Sequence, residues 1–283
     1  MNIAIIGVGG TGSFAAQFLS KTGHRLTLID GDVVEESNLG RQNLFTEKDL
    51  WKLKASQAEK ILADKNAISV AAHLTTENSR ELLKNADFIL DCTDNWLSRM
   101  TINQYSLEKG LKWVYSGAIG SEAMVSTITG RPCFACFAQE RPTESCSQAN
   151  TTAQATSTAA AFATQEILNL IDGKPKLAGK LLYVDAKNMG FAIKQLKPKA
   201  DCAACVQGKK IEKKSSTMCG GKDFLFFNEK PNGTMGKKVG DVSVLNYKKG
   251  ELVLFRDGRT LVKNLPYEKA VEANEFVQRK LSE

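Results

Sequence analysis

Asn2-Ile-Ala-Ile-Ile-Gly7-Val-Gly9-Gly10-Thr-Gly12-Ser13 is the stretch that decides the fold. Its apolar run reads as a buried strand, its glycines as a tight turn, and Ser13-Phe-Ala-Ala-Gln-Phe-Leu-Ser as the opening turns of a helix. At such a junction a side chain would hold the backbone away from a phosphate, whereas glycine lets it approach. The helix N-terminus then offers free N–H groups and the positive end of its dipole. Gly7, Gly9, Gly10 and Gly12 therefore read as a phosphate cradle. The spacing Gly7-x-Gly9-x-x-Gly12 recurs in many nucleotide-binding sheets and also arises by chance, so its context matters. Here Arg25-Leu-Thr-Leu-Ile-Asp30 follows as a second strand ending in a carboxylate, where such folds bind the ribose hydroxyls.

With 283 residues, at roughly 100–200 per domain, one large domain and a smaller one are expected. We divide them as 1–214 and 215–283. A composition 42% hydrophobic and 24% charged is that of an ordinary globular chain with a sizeable core. No apolar run approaches a membrane span, and the first residues already belong to a strand. The expectation is a cytoplasmic protein with no signal peptide and no membrane partner. The formal charge of +7 is modest, and part of it sits in Lys209-Lys210-Ile-Glu-Lys213-Lys214. That run lacks the interleaved aromatics of a nucleic-acid surface and reads as a solvated linker, with an acidic protein partner left open. Nucleic-acid binding is not expected.

Seven cysteines stand at 92, 133, 136, 146, 202, 205 and 219. In a cytoplasmic chain they argue for metal or catalysis rather than disulfides. Cys133-Phe-Ala-Cys136 and Cys202-Ala-Ala-Cys205 together supply the four thiolates of a tetrahedral structural zinc site, tying a mid-chain loop to a later segment. A thioredoxin-like redox pair and unrelated thiols are the alternatives. Cys92 reads as strand packing, and Cys219 carries no assignment.

After Asp30 comes a long polar loop, Gly-Asp32-Val-Val-Glu-Glu-Ser37-Asn38-Leu-Gly-Arg41-Gln42, with Lys54 further on. A nicotinamide enzyme would usually pass quickly into its next helix. Cations beside a phosphate cradle suit a triphosphate whose charge must be held and moved, unless the loop is merely solvated. Ala55 to Leu62 and on to Lys65 reads as a helix, Ile68 to Leu74 as a strand, and Ser79 to Asn85 as a short helix capped by Ser79 or Asn78. Ala86-Asp-Phe-Ile-Leu-Asp91 is a buried strand emerging into Cys92-Thr93-Asp94-Asn95 at the edge where doubly wound sheets bind ligands. Asp94 is placed to hold Mg²⁺ on a nucleotide, and Asp94-Asn95 also suits an N-cap for the helix that follows. A long small-residue helix runs from about Thr156 to Leu170, and Leu182 to Ala186 is a strand. In the tail, Glu251 to Lys263 reads as a hairpin turning at Asp257-Gly258, followed by a helix from Tyr267 to Leu281.

The order Gly7-x-Gly9-Gly10-x-Gly12-Ser13, Asp30-x-Asp32, Ser37-Asn38-Leu-x-Arg41-Gln42, Lys54, Asp91-Cys-Thr-Asp94-Asn95-x-x-x-Arg99 resembles the ThiF/MoeB/HesA family, the prokaryotic relatives of ubiquitin-activating enzymes. The two Cys-x-x-Cys pairs, Cys146 between them and the tail through Lys263 extend the likeness over nearly the whole chain. The resemblance implies an α/β fold: a Rossmann-like, doubly wound, mostly parallel sheet, a zinc-tethered crossover region and a small α+β C-terminal extension. It implies a homodimeric adenylyltransferase that binds ATP and Mg²⁺. Its partner would be a ubiquitin-like sulfur-carrier protein with a C-terminal Gly-Gly, whose carboxylate is adenylated with release of pyrophosphate.

Carried over position by position, Gly10 and its neighbours touch the phosphates and Asp30 the ribose. Asp32, Ser37 and Gln42 fall in the same nucleotide-binding motif. Asn38, Arg41 and Lys54 clamp the phosphates, Asp94 holds Mg²⁺ and Asn95 lies beside it. Cys146, in a polar loop, would take the activated carrier covalently, or else stand by while the adenylate passes to a separate sulfur-donor protein. Two departures qualify the likeness. Many members place an arginine-bearing helix ahead of the first strand that reaches the partner subunit's ATP; this sequence starts at the strand, so Arg41 and Lys54, Arg99, or a cation of another chain must serve. The crossover stretch is Ala/Thr/Ser-rich rather than Gly/Pro-containing, which alters the expected carrier surface. Residues 215–283 would serve carrier docking or dimer contact. Two other readings remain: a nicotinamide oxidoreductase, for which His24 and His73 offer a loop and a strand position with no partner pattern, and a non-catalytic carrier-binding scaffold.

Overall fold

The computed structural model describes residues 1–138, 151–210, 224–226, 228 and 233–282. Cys146, Cys219, Lys213 and Lys214 lie outside the described residues. The chain forms two compact units, each with its own sheet.

The larger unit begins with β1 (Asn2–Ile6), α1 (Gly10–Leu19), β2 (Arg25–Ile29), α2 (Lys54–Leu62), β3 (Ala67–Val70), α3 (Ser79–Leu83), β4 (Phe88–Asp91) and α4 (Trp96–Lys109). It continues through β5 (Trp113–Ile119), β6 (Glu122–Ile128), a single turn α5 (Phe134–Phe137), α6 (Ala153–Ile171), β7 (Lys180–Asp185) and β8 (Gly190–Gln195). Eight strands make one sheet in the order β3-β2-β1-β4-β5-β6-β7-β8. The first five pair in parallel; β6, β7 and β8 extend the sheet antiparallel. The chain thus winds outward from β1 to β3 and returns to place β4 on β1's other side. That reversal opens a crevice between the carboxyl ends of β1 and β4.

Both faces of the sheet are covered over its central strands, as their apolar runs require. In β1, Ala4 and Ile6 join Leu83, Ile102, Tyr105, Trp113 and Phe134 in one buried layer with α3, α4 and α5. On the other face α6 runs along β5 and β6 and lies against α1. Ala155, Ala159, Ala160 and Ala163 of α6 are buried, and such small side chains let helix backbones approach closely.

Several element bounds differ from the sequence expectations. α1 starts at Gly10 rather than Ser13, because the last two glycines of the turn already carry helical backbone. β3 stops at Val70, leaving His73 in the following loop, where the Asn78 amide donates to its carbonyl oxygen. Asn78 is the N-cap residue of α3 but makes no side-chain capping bond: its side-chain oxygen accepts from the Thr75 N–H, and the Ser79 hydroxyl donates backward to Thr76. β5, β6 and β8 had no counterpart in the sequence reading. Asn95 does cap α4, accepting the Ser98 N–H at 2.8 Å.

The smaller unit is an antiparallel sheet of β9 (Phe224–Phe226), β10 (Lys237–Val239), β11 (Val242–Tyr247), β12 (Gly250–Phe255) and β13 (Thr260–Lys263), in the order β10-β11-β12-β13-β9. β12 and β13 form the expected hairpin, with Gly258 at φ +95°. α7 (Tyr267–Ser282) packs Ala270, Ala273 and Val277 on Leu252, Leu254 and Val262.

One buried carboxylate stitches α6 to the larger sheet. Glu166 is 3% exposed and accepts from the Thr127 hydroxyl at 2.6 Å, the Asn169 amide at 2.8 Å and the Lys176 and Leu177 N–H groups at 2.9 Å. Burial pushes its pKa up, but those donors outweigh burial and hold it below the usual value. A carboxyl depressed in the folded state stabilises above its unfolded pKa, and that contribution disappears as pH falls through the folded pKa. Glu166→Gln, which turns an amide toward these N–H groups, should cost about 1–3 kcal/mol near neutrality. Denaturant midpoints should show the gap between variant and wild type closing below about pH 4. A gap independent of pH would refute the ionised network.

Candidate nucleotide site

The glycine turn is packed backbone against backbone. Gly7 has φ +85°, and a Cβ there would lie 2.8 Å from the Cys92 carbonyl oxygen. At Gly12 a Cβ would lie 1.9 Å from the Gly7 carbonyl oxygen, a hard overlap. The turn therefore sits against the exit of β4, at the crevice. Gly9 is the N-cap of α1 and brings no capping side chain, which suits first-turn N–H groups meant for an external anion. A Cβ on Gly10 would meet Thr156 of α6 at 2.8 Å and the Arg41 carbonyl oxygen at 3.5 Å; one on Gly9 would lie 3.8 Å from the Gln42 amide nitrogen. The loop carrying Arg41 and Gln42 thus comes up beside the cradle.

Asp30, at the end of β2, is 8% exposed and fastens the turn from below. One carboxylate oxygen accepts the Val8 N–H and the other the Asp32 N–H, both at 2.7 Å. Burial raises its pKa, and Asp32 adds to this; Lys54 and the two N–H groups only partly compensate. Along the loop, Glu36–Asn38 makes a single 3-10 turn. The Arg41 guanidinium folds back to donate to the Asn38 side chain at 2.6 Å and to the Ser37 carbonyl at 3.1 Å. Gln42 is 2% exposed, and its side-chain oxygen has no hydrogen-bond partner among the described residues.

Lys54 opens α2. Its N–H donates to the Asp32 carbonyl at 2.9 Å, and its ammonium, with the side chain 8% exposed, pairs with the Asp32 carboxylate at 3.2 Å. Burial works against the charge, but Asp32, Asp30 and Glu35 prevail, and its pKa is raised. His73 lies 3.4 Å from the other Asp32 oxygen, a partner that the sequence reading did not give it.

At the exit of β4, Asp91 is fully buried, and burial pushes it up to about 6 against the pull of Arg99 and of Thr93. It accepts from the Thr93 N–H at 2.9 Å and hydroxyl at 2.7 Å, and faces the Arg99 Nε at 3.6 Å. Asp94 follows, exposed, beside the capping Asn95. Cys92 is half-buried just past the strand, its thiol 3.6 Å from the Ser116 hydroxyl and pushed up to about 12 by burial.

Away from the crevice, Cys133, Cys136, Cys202 and Cys205 bring their sulfurs within 4.8 Å of one another. The Cys133–Cys136, Cys133–Cys202 and Cys136–Cys205 distances are 4.0, 3.7 and 3.6 Å. Four ligands about 2.3 Å from zinc at tetrahedral angles stand about 3.8 Å apart, so the cluster fits that ion. α5 is the turn inside the first pair, and the second pair follows β8, so the cluster ties the two ends of the antiparallel half of the sheet.

This is the architecture of the Rossmann-type nucleotide-binding sheets, with a glycine cradle at the switch point and a buried lysine nearby. More narrowly, the chain belongs to the ThiF family, whose model matches residues 1–206. It is 28% identical over 217 residues to the SAMP-activating enzyme E1 of Haloferax volcanii, covering 73% of this chain and 80% of that protein. It is 32% identical to the sulfur carrier protein ThiS adenylyltransferase of Bacillus subtilis, covering 60% of this chain and 54% of the relative. It is also 32% identical to the pig adenylyltransferase and sulfurtransferase MOCS3, covering 72% and 48%. The matched stretch thus spans only about half of these last two relatives. The crystal structure of E. coli MccB with MccA-N7isoASN shares the fold at a TM-score of 0.65 and 20% identity, over 72% of this chain and 67% of that one. No helix among the described residues is long and apolar enough to cross a membrane.

Proposed function

We propose that this protein adenylates the C-terminal glycine carboxylate of a small ubiquitin-like sulfur carrier with ATP, forming an acyl-adenylate and releasing pyrophosphate. The observation that carries the reading is the convergence, at the β1/β4 crevice, of the α1 N-terminus and the Thr93–Asp94 turn, with Gly7 in contact with the Cys92 carbonyl. The relatives' names supply the carrier and the reaction class. They leave the nicotinamide reading without support.

In this reading the α1 N-terminus and Gly9–Gly10 take the phosphates. Asp30 uses a remaining lone pair for a ribose hydroxyl, since a carboxylate offers about four acceptor sites. Two anions must meet, the carrier's carboxylate and the α-phosphate, so positive charge has to be in place beforehand. Lys54 supplies it, fixed by Asp32, and Arg41 supplies it after leaving Asn38 for the polyphosphate. Gln42 offers its buried amide beside Gly9. Asp94, with Asn95 next to it, would hold Mg²⁺, which offsets charge on the polyphosphate. The carboxylate oxygen forms its bond to the α-phosphorus as the bond to the pyrophosphate oxygen breaks. Zinc at the four cysteines serves the fold. We assign the adenylation domain to 1–214 and carrier docking or dimer contact to 215–283, with a second copy as the partner subunit.

ATP–pyrophosphate exchange that depends on an added carrier tests this, since a non-catalytic scaffold gives none. Arg41→Ala and Asp94→Ala should each abolish exchange with the fold intact, and near-normal exchange in either would end the assignment of that residue. Cys146 is proposed to take the carrier from the adenylate: its thiolate sulfur bonds to the carrier's terminal carbonyl carbon as the carbon–oxygen bond to AMP breaks, leaving a thioester and free AMP. A reducing-agent-sensitive conjugate should form on wild type and be missing from Cys146→Ser; equal trapping on both rules that step out, and transfer then falls to a separate sulfur donor.

A further inference from the structure

A packed path of side chains joins the cysteine cluster to the Thr93–Asp94 turn. Phe134 follows Cys133 and Phe137 follows Cys136, so both rings ride on the turn that presents those thiols. Their centroids lie 5.2 and 6.3 Å from that of Tyr115 on β5, and 5.4 Å from each other. The other side of the path is the Arg99 guanidinium, 5.1 Å from the Tyr115 centroid. Arg99 donates to the Thr93 carbonyl at 2.5 Å and faces Asp91, which itself holds the Thr93 N–H and hydroxyl. Thr93 is the residue before Asp94.

The arrangement is tight. Tyr115 is 6% exposed, and Gly117 must lack a side chain because a Cβ there would stand 2.5 Å from the Tyr115 hydroxyl. Asn103, fully buried on α4, accepts the Phe134 N–H at 2.9 Å and anchors the turn from the helix that begins just after Asp94. A close-packed cluster of this kind shifts as a unit rather than deforming continuously.

We infer that Tyr115 is a positioning residue that couples the cysteine-bound metal to the Thr93–Asp94 turn, so that occupancy at one site is felt at the other. The inference rests on the reading above that Asp94 serves Mg·ATP. An arginine held over a ring and away from water has few alternatives, and the cation–π contact is worth more where it is desolvated. Without the ring, Arg99 is released and the Thr93 carbonyl loses its fixed donor. Loss of metal would free the Phe134 and Phe137 rings and reach the same turn from the other end. Coupling between two binding sites is reciprocal, which gives a readout independent of turnover.

The test uses the full zinc-loaded chain. Saturating Mg·ATP should protect the zinc of wild type in an equilibrium competition with a chromogenic chelator, raising its apparent zinc affinity about fivefold or more, the range of ordinary site–site coupling. Tyr115→Phe, which keeps the ring, should behave as wild type. Tyr115→Leu should keep its zinc, lose the protection, and bind Mg·ATP about tenfold more weakly by calorimetry. Should Tyr115→Leu fail to fold, Phe137→Leu, which removes one of the two rings at the other end of the path and leaves Phe134 on Tyr115, should lose part of the protection. Protection in the leucine variants equal to wild type, or no protection in wild type that binds Mg·ATP, overturns the coupling alone. No calorimetric binding of Mg·ATP by wild type would overturn both the coupling and the proposed function.

Discussion

Lys54→Ala is expected to lower carrier-dependent pyrophosphate exchange by about 10²–10³, the usual loss when one preorganised donor leaves such a site. The ammonium is held on α2 with its side chain 8% exposed, paired with Asp32 and kept charged by Asp30, Asp32 and Glu35. That network admits a competing account, in which Lys54 serves only to neutralise buried acids, and its loss would act through a disordered loop. Adding Asp32→Asn separates the two. If Lys54 is merely a counter-ion, removing the charge it balances should restore much of the activity in the double variant. If it contacts the phosphates, the double variant should stay as slow as Lys54→Ala. A melting curve on each shows whether the loop has been lost. Exchange near the wild-type rate in Lys54→Ala would remove Lys54 from the reaction.

How much of this site was legible beforehand depends on whether chain-local or non-local chemistry made it. Gly7, Asp30 and the emergence of β4 at Asp94 were readable because each lies at the end of an apolar run, and strand ends on one edge are brought together by parallel winding. Lys54 was readable as a cation but not as the partner of Asp32, since the two lie on different elements. His73 was misread because the apolar run around it continues past the hydrogen-bonded ladder, which ends at Val70. Asp91 was legible as a strand end and as part of the Asp91-to-Arg99 motif, but not as a buried acid, since its burial needs Arg99 and Thr93 to be folded around it. β8 was not legible because it carries exposed apolar side chains, Phe191 and Ile193, at an edge with no polar alternation to mark a buried face. Glu166 left a usable signal. It falls in helical register with Ala159, Ala163 and Leu170, all buried, and a carboxylate in an apolar stripe needs donors.

The largest effect on stability should come from the cysteine cluster. A disulfide or redox pair and a metal site make opposite demands here. A disulfide needs two sulfurs about 2 Å apart, while the pairs in this cluster are 3.6 to 4.0 Å apart and all four sulfurs share one centre. Four thiolates gathered without a cation would repel one another in a buried setting, so with the cysteines ionised the fold at this point would depend on a bound ion. Cys133 and Cys202 lie 69 residues apart in sequence and both are buried, so no local structure brings them together when the ion is lost. Metal binding at such sites contributes on the order of 10 kcal/mol, comparable to the roughly 5–15 kcal/mol that holds a whole domain together. Cys202→Ala should therefore abolish stoichiometric zinc and leave the larger unit unfolded or aggregated at neutral pH, where wild type should carry one zinc ion per chain. Thiol reductants should leave wild type unchanged, whereas a strong chelator should unfold it slowly. A Cys202→Ala protein with the wild-type denaturant midpoint, or a wild type that unfolds under reductant alone, would show that the cysteines are not a structural metal site.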